Sequence, residues 1–302
     1  MIFSVIFFVF LASCATAPRA SLSRGHADYE LSQLPAGARA YIWADVERGR
    51  PLLETISFID LSGRNMTQIL DRTGTAAAAI FPEGQDRRFF VAASGNYPGL
   101  SANFSLTVNS AWKKQRSVTG NSYWYSQADN IALALGSNLA LVSDTDPFEE
   151  FRKVNIPRGF SEFRRGMVLA GWLPNPSRQV NNVLATFAIP IHIPAEDFFF
   201  GVARVPADSD PWELVFRIRT ASTEQAVALL SLFSMARFFV QRAVVQQGAA
   251  SAGAFPISPQ EIAAMLFAKA PEQNEEFLTL RTGPLDEDRI ALLFVMFSLY
   301  SD

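Results

Sequence analysis

The chain has 302 residues, 26 Lys+Arg against 29 Asp+Glu, and a formal net charge of −3. That balance carries no electrostatic footprint for nucleic acid, and the single cysteine excludes a disulfide within the chain. The length suffices for one large domain or two smaller ones with a sizeable core, and 26 phenylalanines supply much apolar surface to bury or to offer to a ligand.

The chain opens MIFSVIFFVFLAS, an apolar run too short for a membrane span of roughly 20 residues. It fits the apolar core of a secretory signal, although no Lys or Arg precedes it. Small residues follow, and then the lone Cys14. Leu11-Ala12-Ser13-Cys14 resembles the lipobox of bacterial lipoproteins. The resemblance implies that residues 1–13 are a signal peptide and that Cys14 receives a diacylglyceryl group. The new amino terminus is then acylated, giving an N-terminal lipid anchor in the membrane. Ala15 and Thr16 lack the retention aspartate of enterobacterial inner-membrane lipoproteins, which implies the outer membrane. Residues 14–37 are small, polar and punctuated by proline, and read as a lipidated tether.

The body reads as α+β: two related β-α-β-β-α-β-β units with mostly antiparallel sheets covered by helices. The first unit spans 38–145. ARAYIWADV (38–46) predicts a strand, and a helical pattern follows from Pro51 through Leu70, with Gly74 as its stop. TAAAAIFPEGQDRRFFVAASG predicts a hairpin turning at Pro82-Glu83-Gly84. A short helix over about 98–108 comes next, then strands near 112–118, 122–127, 131–136 and 139–143. Residues 146–165 read as a linker, with Asp146 capping a short helix that starts at Pro147.

The second unit spans 166–302. GMVLAGWLP (166–174) predicts a strand, NPSRQVNNVL a short helix, and 195–220 a hairpin turning at Ala207–Pro211. A long helix follows, and residues 275–297 predict a final strand pair. There Asp288-Arg-Ile-Ala-Leu echoes Asp129-Asn-Ile-Ala-Leu of the first unit. The extra length of the second unit falls in an amphipathic helical insertion at about 240–270.

Chemistry-bearing motifs are scarce. Of the two histidines, His26 lies in the tether and His192 in a Pro-bounded stretch, so no set of three or four zinc ligands stands out. There is no Gly-x-Ser-x-Gly elbow, phosphate loop or dinucleotide turn. No catalytic residue, metal site or cofactor is expected. A hydrolase with a carboxylate pair is the residual enzymatic reading, and nothing among the acidic residues selects a pair.

The long helix is the element that asks for an explanation. Ser222 and Gln225 form a capping box. At 100° per residue, Leu229, Leu232, Phe233, Ala236, Phe239, Val240, Ala243 and Val244 share a face expected to cover a sheet. The opposite face carries polar residues but also Val227, Leu230, Met235, Phe238 and Val245. The plain account is a second layer, such as the helix predicted over 258–270. The sharper account makes Leu230, Met235, Phe238 and Val245 the candidate contacts with lipid or a partner. DFFFG (197–201) adds apolar rings on both faces of a strand.

The lipobox, the Phe-rich α/β body and the amphipathic helices together resemble the treponemal outer-membrane lipoproteins that insert amphipathic helices into a bilayer leaflet. That resemblance implies lipid binding without catalysis. The expected protein is a non-enzymatic cell-envelope lipoprotein that binds lipid or the bilayer surface. The alternative is a structural or assembly lipoprotein whose partner is an envelope protein.

Overall fold

The computed structural model describes residues 28–55, 71–82, 84–174, 176, 181, 193–205, 212–247, 259–291 and 293. Leu11–Cys14, His26, His192, most of the helix expected at 175–184 and the hairpin turn at 207–211 lie outside the described residues. The fold is mixed α+β and built on antiparallel strand pairs. Its contacts divide the chain into two compact units, residues 1–169 and 170–302.

In the first unit the order is β1 (Ala40–Asp45), α1 (Val46–Thr55), β2 (Thr73–Ile80), β3 (Phe89–Gly95), α2 (Gly99–Val108), β4 (Trp112–Arg116), β5 (Ser122–Ser126), β6 (Ile131–Leu135), β7 (Leu139–Ser143) and α3 (Phe160–Arg164). The strands lie in the order β1-β2-β3-β7-β6-β5-β4, each antiparallel to its neighbour. Alanine prefers helix, yet the Ala-rich stretch is strand β2. The register supplies the reason: Ala77 stands opposite Trp43 and Ala92, and Ala79 opposite Tyr41 and Phe90. All six are buried, so small side chains in the middle strand leave room for large rings beside them.

The other face carries a cross-strand row, Trp124–Leu133–Val142–Val91. Leu106 of α2 packs into that cluster, and the Trp124 indole N–H donates to Asn103 Oδ1 at 2.7 Å, which pins α2 over the sheet. On the opposite face, the Arg164 guanidinium lies 4.4 Å from the Trp43 ring centroid and pairs with Asp28 at 2.7 Å. Burial pushes that arginine's pKa down, against the opposing pull of Asp28.

Several local expectations are corrected. The first helix starts at Val46, where Asp45 Oδ1 accepts the Arg48 N–H at 2.9 Å, so Pro51 lies inside it. Gly74 lies inside β2 and not in a helix stop; the expected helix over residues 56–70 lies outside the described residues. Asp146 caps a turn, its Oδ1 accepting the Phe148 N–H at 2.8 Å, and no helix follows Pro147. The stretch around it packs within the first unit: Phe151 meets Phe90 edge-on at 5.4 Å, and the Ala36 N–H donates to Arg152 O.

The second unit contains β9 (Asp197–Arg204), β10 (Trp212–Arg219), α4 (Thr223–Gln247), α5 (Pro259–Leu266), β11 (Glu272–Asn274) and β12 (Phe277–Arg281). With β8 (Met167–Pro174), which contains the division between the units, the order is β11-β12-β10-β9-β8. Phe199 of DFFFG is fully buried, while Phe198 and Phe200 on the other face are half-buried. Among the described residues the last strand pair is β11 with β12, so the described part of 275–297 supplies one of its strands. Asp288 lies in a helical turn instead, because Asp286 Oδ1 accepts the Arg289 N–H at 2.7 Å and starts it. Asp129, its counterpart in the echo, accepts from Ser126 Oγ just before β6.

Glu213 on β10 is buried and holds two cations, Lys269 and Arg281. Removing both cations strands a buried carboxylate. Lys269→Ala with Arg281→Ala is expected to lower unfolding free energy by about 3 kcal/mol, the low end for a broken buried pair because both cations are partly solvated. Urea unfolding of the double variant measures it.

Candidate functional site

The cap at the start of α4 forms, with the return bond of the capping box shifted one residue upstream to Ala221. Ser222 Oγ accepts the Gln225 N–H at 3.3 Å, and Gln225 Oε1 accepts the Ala221 N–H at 3.2 Å. Glu224, in the first turn, has its carboxyl held below the usual range by a hydrogen bond with Ser222.

From that cap the helix runs over β11, β12 and α5. Ala226, Leu229 and Phe233 are buried along its underside. Phe233 meets the Phe267 ring at 5.9 Å, and Arg237 Nε donates to Phe267 O at 3.0 Å. These contacts hold the first half of α4 to the unit. Leu229 and Phe233 are buried as expected, whereas Leu232 and Phe239 of the same predicted face are exposed. At 100° per residue, Leu232 and Phe239 lie on the far flank of the stripe set by Ala226, Leu229 and Phe233.

The exposed side is therefore more apolar than the sequence reading expected. Ala228, Leu232, Met235 and Phe239 follow the i, i+4, i+7, i+11 spacing of one helical stripe. Met235 is 53%, Phe238 59% and Phe239 60% exposed, and Val227 is exposed nearer the cap. The Phe238 and Phe239 rings touch edge to face at 5.8 Å.

Of the four candidate contacts, Met235 and Phe238 are on the surface. Leu230 is only half-buried, beside the packed stripe, so it is a poor contact residue. The side chain of Val245 lies outside the described residues. By length and composition, Thr223–Arg242 is long and apolar enough to cross a membrane. One side of it is committed to the unit's core through Leu229 and Phe233, which suits a helix lying in the membrane surface better than one crossing it.

No comparable site for chemistry is assembled among the described residues. Of the four buried carboxylates among the described residues, Glu213, Asp144 and Asp197 are each engaged by arginine or lysine, and Glu30 accepts from Thr75 Oγ1 at 2.6 Å. Among the described residues, no three or more His, Cys, Asp or Glu side chains come together as a metal site.

Comparison with known proteins bears on the whole chain. Residues 30–153 match the family model of the outer membrane-associated lipoprotein TP0453. None of the curated proteins compared with the chain matches it. Three crystal forms of TP0453 have similar folds. Form IV shows 15% identity and a TM-score of 0.54, covering 88% of this chain and 96% of that one. Form III shows 16% identity and a TM-score of 0.55, covering 89% and 98%. Form I shows 17% identity and a TM-score of 0.53, covering 90% and 98%. The fold is thus shared along most of both chains. Residues 30–153 are thus similar to the outer membrane-associated lipoprotein family of TP0453, and the fold as a whole is similar to that of TP0453.

Proposed function

We propose that this protein is a non-enzymatic lipoprotein, anchored through Cys14, whose folded body lies on the bilayer through α4. The carrying observation is the exposed stripe of Leu232, Met235 and Phe239, flanked by Phe238, on a helix whose other side is packed. A contiguous apolar surface of this kind needs an apolar neighbour. Each large apolar side chain taken fully out of water contributes about 1.5–3 kcal/mol, and these are already partly covered. Together they supply several kcal/mol on the order expected for an interfacial helix. Arg242 sits beside Met235 on the exposed side of α4, where a long cationic side chain reaches headgroups while its stem stays apolar.

Every described contact of the fold lies from residue 28 onward, so residues 21–302 retain all of them without signal or anchor. This protein is expected to float with liposomes. The variant M235D/F238D/F239D is expected to stay in solution, with unfolding free energy within about 1 kcal/mol of the parent, because exposed positions tolerate change. Leu229→Ala, by contrast, is expected to cost about 2–5 kcal/mol as a buried truncation. Undiminished flotation of the triple variant would remove α4 from the account. Loss of a co-purifying envelope protein, in a parent that never floats, would favour the protein-partner reading.

The anchor has its own test. Full-length protein expressed with labelled fatty acid is expected to carry label, and Cys14→Ala to carry none. Label persisting on that variant would place the acylation elsewhere.

A further inference from the structure

The edge of the first unit presents a second surface, different in chemistry from α4. Between Asp86 and Asp129 the sequence contains no acidic residue at all, in a chain with 29 of them. Within that stretch β4 reads Trp-Lys-Lys-Gln-Arg and is the terminal strand of its sheet in the first unit. Lys113 and Lys114 are two of only four lysines in the chain, the others being Lys153 and Lys269. Lys113, Lys114, Gln115 and Arg116 are all exposed.

Arg87 and Arg88, the other cations of the stretch, are occupied by Glu149 and Asp144. Those of β4 make different contacts. Lys114 Nζ lies 6.0 Å from the Trp124 ring centroid, and Arg116 Nε donates to Gly120 O at 3.1 Å. Among the described residues, no ion pair engages Lys113, Lys114 or Arg116.

Apolar side chains accompany these charges. Trp112 is buried in the cluster that Leu106 of α2 enters, and strand alternation puts Lys114 and Arg116 on that same face. The exposed side of α2 carries Phe104 (69% exposed) and Val108 (67%) four residues apart. The Trp112 N–H donates to Asn109 O, which ties the end of α2 to the start of β4. Beyond β4 the hairpin turn is closed by the Ser117 N–H to Asn121 O (2.8 Å) and the Gly120 N–H to Ser117 O (2.9 Å). This ordered turn holds Val118 out at 93% exposure.

Lysines on an edge strand also blunt edge-to-edge pairing, which is an account of Lys113 and Lys114 alone. It does not account for Phe104, Val108 and Val118 beside them. Cations without carboxylate partners, set among outward apolar side chains, complement a surface that is anionic outside and apolar just beneath. We propose that the β4 edge, the 117–121 turn and the outer side of α2 form a second bilayer-docking surface that selects anionic phospholipid headgroups. The proposal rests on the membrane setting argued above and not on α4.

Vesicle sedimentation of residues 21–302 tests it, with phosphatidylcholine alone and with phosphatidylcholine plus phosphatidylglycerol. At low salt the anionic vesicles are expected to bind about tenfold or more tightly, since each basic residue near an anionic surface adds attraction. That excess should vanish in roughly 0.5 M salt, where charges are screened within a few ångströms. K113E/K114E/R116E should abolish the excess and leave binding to neutral vesicles unchanged. The milder K113Q/K114Q should reduce it, with no dependence on a folding defect. Equal binding to the two vesicles by the parent, or a preference kept by the charge-reversed variant, would overturn the proposal. M235D/F238D/F239D separates the two surfaces. If it binds both vesicles as the parent does, the α4 reading fails while the β4 preference stands.

Discussion

A helix can bury one stripe of its circumference against a single layer, and α4 is apolar on more than one. That mismatch governs the reading of this protein. Ala226, Leu229 and Phe233 are used by the core, and Arg237 ties the same side to the backbone after α5. Leu232, Met235, Phe238 and Phe239 are then left facing outward by geometry. Turning them inward would expose Leu229 and Phe233, so the described residues of the unit cover only one side of the helix. A partner phase that is itself apolar resolves the conflict, and the proposed bilayer contact supplies one.

The surrounding structure is suited to hold such a helix rigidly at one end. In the second unit, Glu213 gathers Lys269 and Arg281, linking β10 to β12 and to the segment after α5. In the first unit, the large-against-small pairing of Tyr41 and Trp43 with Ala79 and Ala77 lets three strands pack closely. Trp124 and Asn103 fix α2 on the other face. Both units therefore present side chains from ordered elements, and what they present is apolar at α4 and mixed cationic and apolar at β4.

Much of this was legible in the chain. Strands β1 to β10 follow from short apolar or alternating runs bounded by turn residues, a signal local to each segment whatever its neighbours. The start of α4 follows from Ser222 and Gln225, a local hydrogen-bond motif. The buried side of α4 was not legible. Two broad arcs of that helix are apolar, and periodicity alone cannot choose between them. The choice is made by Phe267 and the carbonyls after α5, which are remote in sequence from Leu229. Pro51 misled for a related reason: Asp45, upstream in the same segment, had already capped the helix. The echo at Asp288 failed because Asp286 competes for the backbone two residues before it. The surface around Lys113 and Phe104 has a readable signal that is compositional and forms no motif, a long stretch with no carboxylate in an otherwise acidic chain.

The most direct test of the central claim uses the chain's economy in cysteine. Residues 21–302 contain none, so M235C places a single thiol on the exposed stripe of α4. An environment-sensitive fluorophore on that thiol reports whether the stripe enters lipid. The account predicts a blue-shifted, brighter emission when vesicles are added, and quenching by a lipid-borne quencher. Unchanged emission from protein that has sedimented with the vesicles would show that the body meets the membrane elsewhere and would contradict it.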